Sequence, residues 1–160
     1  MLRMDHEAPA RFVVDVMLGS LARWLRRLGY DADYANERAD RELVRVARAQ
    51  DRVLLTRDRA LAARHGVRTL LIASQALDEQ LAQVKAVFPL PPGERTMRCS
   101  ECNAVLESVT PEEVAARVPV YVRRTYAQFQ RCPGCARVYW PGSHREHMSR
   151  RLGCGRDGRL

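Results

Sequence analysis

Two sets of residues in this chain have types and spacings that could do chemistry: five cysteines and a few aspartates. Cys99-Ser-Glu-Cys102 and Cys132-Pro-Gly-Cys135 form two C-x-x-C pairs. Each pair makes a tight turn that can point two thiolates at one ion, and two such turns supply a tetrahedral four-cysteine shell. An all-thiolate shell leaves no position for a reacting water, so structural Zn²⁺ is the metal expected. A thiol–disulfide site and an iron–sulfur cluster are the rival uses of the same residues. A redox C-x-x-C opens a helix in a thioredoxin-like fold, whereas the proline and glycine of the second pair suit a knuckle turn. Cys154 reads as a bystander, and His144 and His147 are the residues that could replace a ligand.

Asp15, Asp40 and Asp58 are the carboxylates of interest. Asp15 and Asp58 each end a short apolar run and precede a helical pattern, and Asp40 begins the helix between those two runs. In a parallel sheet all three would fall on the C-terminal edge, where open α/β folds bind their ligands. Three converging carboxylates are costly to keep ionised unless a divalent cation neutralises them. Mg²⁺ or Mn²⁺ takes carboxylate oxygens and retains waters, which suits phosphodiester hydrolysis. Asp40 and Asp58 also stand where helix N-caps stand. Asp15 is harder to read as a cap, because its helix starts several residues later. Asp78 is a weaker candidate for a fourth acid, and Asp31 and Asp33 read as surface positions.

These residues need a scaffold to hold them. Arg11 to Val14 reads as a buried strand, and Leu18, Leu21, Ala22, Leu25 and Leu28 then recur at helical spacing, with Gly29 as C-cap. A second short strand is expected around Tyr30 to Tyr34, a helix over 40–50, a strand over 52–56 and a short helix over 59–65. A buried strand over 67–73 and a helix over 76–88 complete the pattern. Strands alternating with helices imply right-handed βαβ units. Domains are therefore expected as an N-terminal extension at 1–10, an α/β domain at 11–88, a linker at 89–97, a zinc ribbon and C-terminal segment at 98–152, and a disordered tail at 153–160. Within the ribbon, Thr110-Pro-Glu-Glu113 carries a capping box opening a small helix, and Pro119 to Tyr126 partly alternates like a strand.

The formal charge is +8, and Lys85 is the only lysine. Arginine matches phosphate bidentately, so an anionic partner is favoured, nucleic acid first. Arg23, Arg26 and Arg27 fall on the polar side of the first helix, Arg57 beside Asp58, and Arg123 and Arg124 before Tyr126. Tyr126 or Trp140 could stack on an unpaired base. No apolar run is long enough to cross a membrane and no leader pattern is visible, so the expectation is a soluble cytoplasmic protein.

Several motifs recur in an order that resembles a known family. Phe12-Val13-Val14-Asp15-x-Met17-Leu18-Gly19, then Leu21-Ala22-Arg23-Trp24-Leu25-Arg26, then Leu28-Gly29-Tyr30-Asp31 resemble the PIN-like nucleases called the Mut-seven C-terminal RNase family. Leu54-Leu55-Thr56-Arg57-Asp58 looks like its second signature. Arg98-Cys99-x-x-Cys102-Asn103, Cys132-x-x-Cys135 and Tyr139-Trp140-x-Gly142-Ser143-His144 look like its zinc-ribbon end. The resemblance spans residues 11 to about 152. It implies a PIN-like parallel sheet flanked by helices, followed by a small four-cysteine zinc ribbon, and metal-dependent cleavage of RNA, single-stranded or tRNA-like. Carried over, the acidic metal ligands are Asp15, Asp40 and Asp58, with no clear fourth acid, and His144 is a candidate phosphate or general-acid contact. The alternative is a non-catalytic RNA-binding module that uses the ribbon and the arginines, its aspartates serving as caps.

Overall fold

Apolar β-branched runs and amphipathic helices alternate through the first half of the chain, and the structure realises that alternation as a parallel sheet between helices. The computed structural model describes residues 9–90 and 96–142, in two compact units, Met1–Asn103 and Ala104–Leu160. The expected tail, together with His144, His147 and Cys154, lies outside the described residues, as does the middle of the expected linker.

In the first unit β1 (Arg11–Val14) leads through a 3-10 turn (Val16–Leu18) into α1 (Gly19–Arg27). Then come β2 (Asp31–Asp33), α2 (Asp40–Ala49), β3 (Val53–Thr56), α3 (Arg59–Ala62), β4 (Thr69–Leu71) and α4 (Leu77–Val87). The strands are all parallel and their order is β2-β1-β3-β4. Phe12, Val13 and Val14 of β1 and every residue of β3 are buried, as expected for central strands covered on both faces. Val13 and Leu54 face Leu43, Val46 and Ala47 of α2 and Leu61 of α3. On the other side Phe12 lies between the rings of Tyr30 and Phe88, with centroids 5.4 Å away in each case, and α1 packs on α4.

The strand expected over 67–73 is shorter and only partly covered, with Leu71 exposed. As the outermost strand it has one neighbour, β3, and its apolar residues reflect a half-covered edge. The helix expected over 59–65 closes after Ala62.

The second unit holds an antiparallel sheet of β5 (Glu107–Val109), β6 (Phe129–Arg131) and β7 (Val138–Tyr139). Its core is Val114, Val118, Val122 and Phe129. The capping-box hydrogen bonds form: the Thr110 N–H donates to Glu113 (2.7 Å) and the Glu113 N–H to the Thr110 hydroxyl (3.3 Å). They open a run of turns rather than a helix. The strand expected over Pro119 to Tyr126 is instead a helix, α5 (Val120–Thr125), with Pro119 as N-cap. Its β-branched residues suggest alternation, but within the helix only Val122 is buried, and it joins Val118 and Tyr126 at four-residue spacing in the core. No helix among the described residues is long and apolar enough to cross a membrane.

One half-buried ion pair ties the start of β3 to β2. Arg52 donates to Asp31 at 2.6 Å and to the Phe12 carbonyl at 3.1 Å, and Asn103 donates to the same carboxylate at 2.8 Å. Burial pushes the Asp31 carboxyl up, yet the hydrogen bonds from Arg52 and Asn103, with the charges of Arg52 and Arg98, hold it below its ordinary value. Hydrogen bonds to a charged group contribute about 1.5–3 kcal/mol, and Asp31→Asn is expected to lower the unfolding free energy at neutral pH by about that much. A depressed native pKa means this contribution is complete above the unfolded value and vanishes as pH falls through the native one. Denaturant titrations of the two proteins should therefore diverge at neutral pH and converge in acid.

Candidate active site and metal centre

Because β1 has β2 on one side and β3 on the other, the direction of chain progression reverses between β1 and β3. That is the switch point at which α/β sheets open a crevice beyond their C-terminal ends. Asp15 follows β1 directly, and Asp58 lies two residues beyond the end of β3. The ladder continues for one more bond, from the Asp15 N–H to the Leu55 carbonyl (3.0 Å), and then the side chains take over. The Thr56 hydroxyl donates to Asp15 Oδ2 at 2.6 Å and accepts from the Asp58 N–H at 2.9 Å. Thr56 is thus the residue that joins the two candidate acids, and in the sequence it stands inside the Leu54–Asp58 signature with no role of its own assigned.

Each aspartate has a distinct environment. Asp15 is 3% exposed, makes no side-chain cap bond, and accepts only from Thr56 among the described residues. A carboxylate this deeply buried with one donor is short of compensation, which suits a cation ligand. Asp58 does cap α3: its Oδ1 accepts from the Ala60 and Leu61 N–H groups at 2.7 and 3.0 Å. Its second oxygen has no partner among the described residues. Asp40 is exposed in the first turn of α2, whose N-cap is Ala39. The structure therefore links Asp15 to Asp58 but does not gather Asp40 with them: among the described residues, the three acids do not form one ion-holding group. Asp33 pairs with Arg38 at 2.9 Å, and Asp78 is exposed in the first turn of α4.

The turn after Asp15 is shaped by a close approach. Tyr34 donates to the Val16 carbonyl at 3.0 Å, and a Cβ on Gly19 would fall 2.6 Å from the Tyr34 oxygen. Glycine at 19 is what lets Tyr34 brace the turn.

The four paired cysteines do come together. Their sulfurs lie within 4.8 Å of one another, with Cys99 and Cys132 buried and Cys102 and Cys135 exposed. A zinc–sulfur tetrahedron with bonds of about 2.3 Å places its sulfurs about 3.8 Å apart, so this cluster fits a Zn²⁺-sized ion.

The basic and aromatic candidates separate sharply. Arg26 is 3% exposed and is no surface contact: it donates to the carbonyls of Ala32 (2.8 Å), Ser100 (2.9 Å) and Glu101 (3.1 Å). Burial lowers its pKa, against the opposing charges of Asp33, Cys99, Cys102 and Glu101. It therefore leaves the polar face on which its residue type placed it. Arg23 is exposed and 3.8 Å from Glu101, and Arg27 stacks over Trp24 at 5.0 Å. Arg57 and Arg123 each have a buried Nε without a hydrogen-bond partner among the described residues. Arg124 is exposed. Tyr126 and Trp140 flank Gly142, and Trp140 is 36% exposed. Tyr121 is 72% exposed on α5.

No curated protein and no solved structure matches the chain. A family model does, the Mut7-C RNAse domain, over residues 10–152. With the four-cysteine cluster and the paired aspartates in view, that match covers both units, and the chain belongs to the Mut7-C RNAse domain family.

Proposed function

We propose that the chain is a PIN-type ribonuclease that hydrolyses RNA phosphodiester bonds with Mg²⁺ or Mn²⁺ at the C-terminal edge of its parallel sheet. The observation that carries this reading is the Asp15–Thr56–Asp58 linkage at the switch point, within a basic chain of an RNAse family. Asp15 and Asp58 would hold the cation, and Asp40 at the start of α2 adds a third carboxylate. A divalent cation there supplies charge neutralisation at the phosphate and lowers the pKa of a water. Thr56 keeps Asp15 oriented by donating to Oδ2, which leaves Oδ1 for the cation. Arg57 adjoins Asp58 in the chain, and its guanidinium is suited to hold a phosphate oxygen.

The four cysteines hold structural Zn²⁺ in this reading, and the segment carrying them assists RNA binding. Arg123 and Arg124 supply charge to the phosphates, and Tyr126 and Trp140 supply stacking. The substrate is RNA with an accessible single-stranded stretch, as in a tRNA-like molecule, and the expected location is the cytoplasm. Residues 98–152 form the zinc ribbon in this scheme, after the nuclease domain at 11–88.

A second reading has one specific observation in its favour: Asp58 caps α3, and the three acids are not gathered into one ion-holding group. In that reading the protein binds RNA without cleaving it.

Cleavage of labelled single-stranded RNA and tRNA by the zinc-loaded chain, with and without Mn²⁺, separates the two. Asp15→Asn should reduce the rate at least about 100-fold, a loss typical of removing a group that stabilises transition-state charge. Asp58→Asn is the sharper variant, because asparagine caps helices as well as aspartate does. It should fold and melt like wild type yet lose metal-dependent cleavage. If it cleaves normally, the cap alone explains Asp58. Thr56→Val should raise the Mn²⁺ concentration needed for half-maximal rate by about 10-fold, as loss of an outer-shell partner does. Tight, salt-sensitive RNA binding without product in every condition would establish the second reading.

A further inference from the structure

The segment Arg98–Asn103 is fastened to the outer edge of β2 and the last turn of α1 by five hydrogen bonds, none of which the RNA chemistry uses. From α1, Arg26 reaches the Ser100 and Glu101 carbonyls, while its own carbonyl accepts from the Arg98 N–H at 3.0 Å. From the knuckle, Asn103 Oδ1 accepts from the Ala32 N–H at 3.1 Å and Nδ2 donates to Asp31 at 2.8 Å. Arg98 closes the loop by donating to the Asn103 carbonyl at 2.9 Å. The free edge of β2 is thereby occupied on both groups of Ala32, since Arg26 Nε takes its carbonyl. Asn103 sits at φ +68° and its N–H bonds the Cys99 carbonyl at 2.9 Å, a left-handed position that asparagine tolerates. Gly29, at φ +95°, gives clearance: a Cβ there would lie 3.0 Å from the Thr96 carbonyl oxygen.

We propose that Arg26 and Asn103 are positioning residues that couple metal loading of the cysteine group to the folding of the α1–β2 edge. Zn²⁺ holds the Cys99–Cys102 turn shut, and the shut turn presents the carbonyls that a buried Arg26 requires. If the turn opens, a guanidinium and the Ala32 N–H lose their partners in a buried setting, which is costly. Linkage makes the effect reciprocal: loosening β2 weakens Zn²⁺ binding by the same factor. The inference rests on Zn²⁺ loading and not on cleavage, so a chain that fails to cut RNA leaves it standing.

Hydrogen exchange of the full chain tests it, comparing Zn²⁺-loaded protein with protein depleted by a chelator. Exchange at Ala32 should rise at least about 10-fold on depletion, while Val53–Thr56 in the sheet centre changes little. Asn103→Gly keeps the backbone conformation and removes the side chain. It should weaken Zn²⁺ binding about 10- to 100-fold in competition with a chromophoric chelator, and leave Ala32 exchange fast with or without Zn²⁺. Arg26→Lys, which keeps the charge but loses the fork that spans three carbonyls, should act in the same direction. Should Arg26→Lys not fold, Asn103→Gly decides. Equal Ala32 exchange in loaded and depleted protein, wild-type Zn²⁺ affinity in Asn103→Gly, or a chain that takes up no Zn²⁺ would each overturn the proposal.

Discussion

The Thr56 side chain does the joining where the two central strands run out, and the candidate chemistry depends on it. Its backbone is already committed to the sheet, with its carbonyl accepting from the Ile72 N–H at 2.7 Å. Its hydroxyl then donates to Asp15 and accepts from the Asp58 backbone. The register that sets Val14 beside Leu55 brings both strands to an end together. One residue of slip would remove Thr56 from Asp15 and turn the apolar side chains of the strand to the wrong faces. The packing of Val13, Leu54, Leu43 and Leu61 that enforces register is therefore also what positions the acids.

Burying Asp15 beneath that edge is unfavourable unless something compensates the charge. A single hydroxyl donor offsets only part of the cost. A divalent cation shared with Asp58 would offset more, and this energetic need is what joins the geometry to the proposed activity. The contrast with Asp31 is informative. Asp31 has Arg52, Asn103 and Arg98 around it and needs nothing further, whereas Asp15 has no arginine partner among the described residues.

Much of this was legible in the sequence. The central strands are short apolar runs, α1 and α2 show clean 3.6-residue spacing, and two C-x-x-C pairs have few other uses. What the chain hid was of two kinds. Val120, Tyr121 and Val122 carry β propensity, yet Pro119 starts a helix whose Val122 joins Val114 and Val118 in the core at four-residue spacing. Arg26 reads as a surface residue because of its charge, although it lies one helical turn after the buried Ala22. Its partners Ser100 and Glu101, and the Asn103 partners Asp31 and Ala32, lie more than seventy residues away in the chain, a range at which spacing carries no signal. The role of Thr56 leaves no signal of its own, because a threonine that ends a strand has an ordinary explanation in β propensity.

Paramagnetic broadening by Mn²⁺ in the amide spectrum of the zinc-loaded chain tests the central claim most directly. Mn²⁺ should selectively broaden the signals of Asp15, Arg57 and Asp58 in the wild type, and the effect should be lost in Asp15→Asn under the same conditions. Broadening elsewhere, or broadening at those residues that survives Asp15→Asn, would contradict a cation site at the switch point of the sheet.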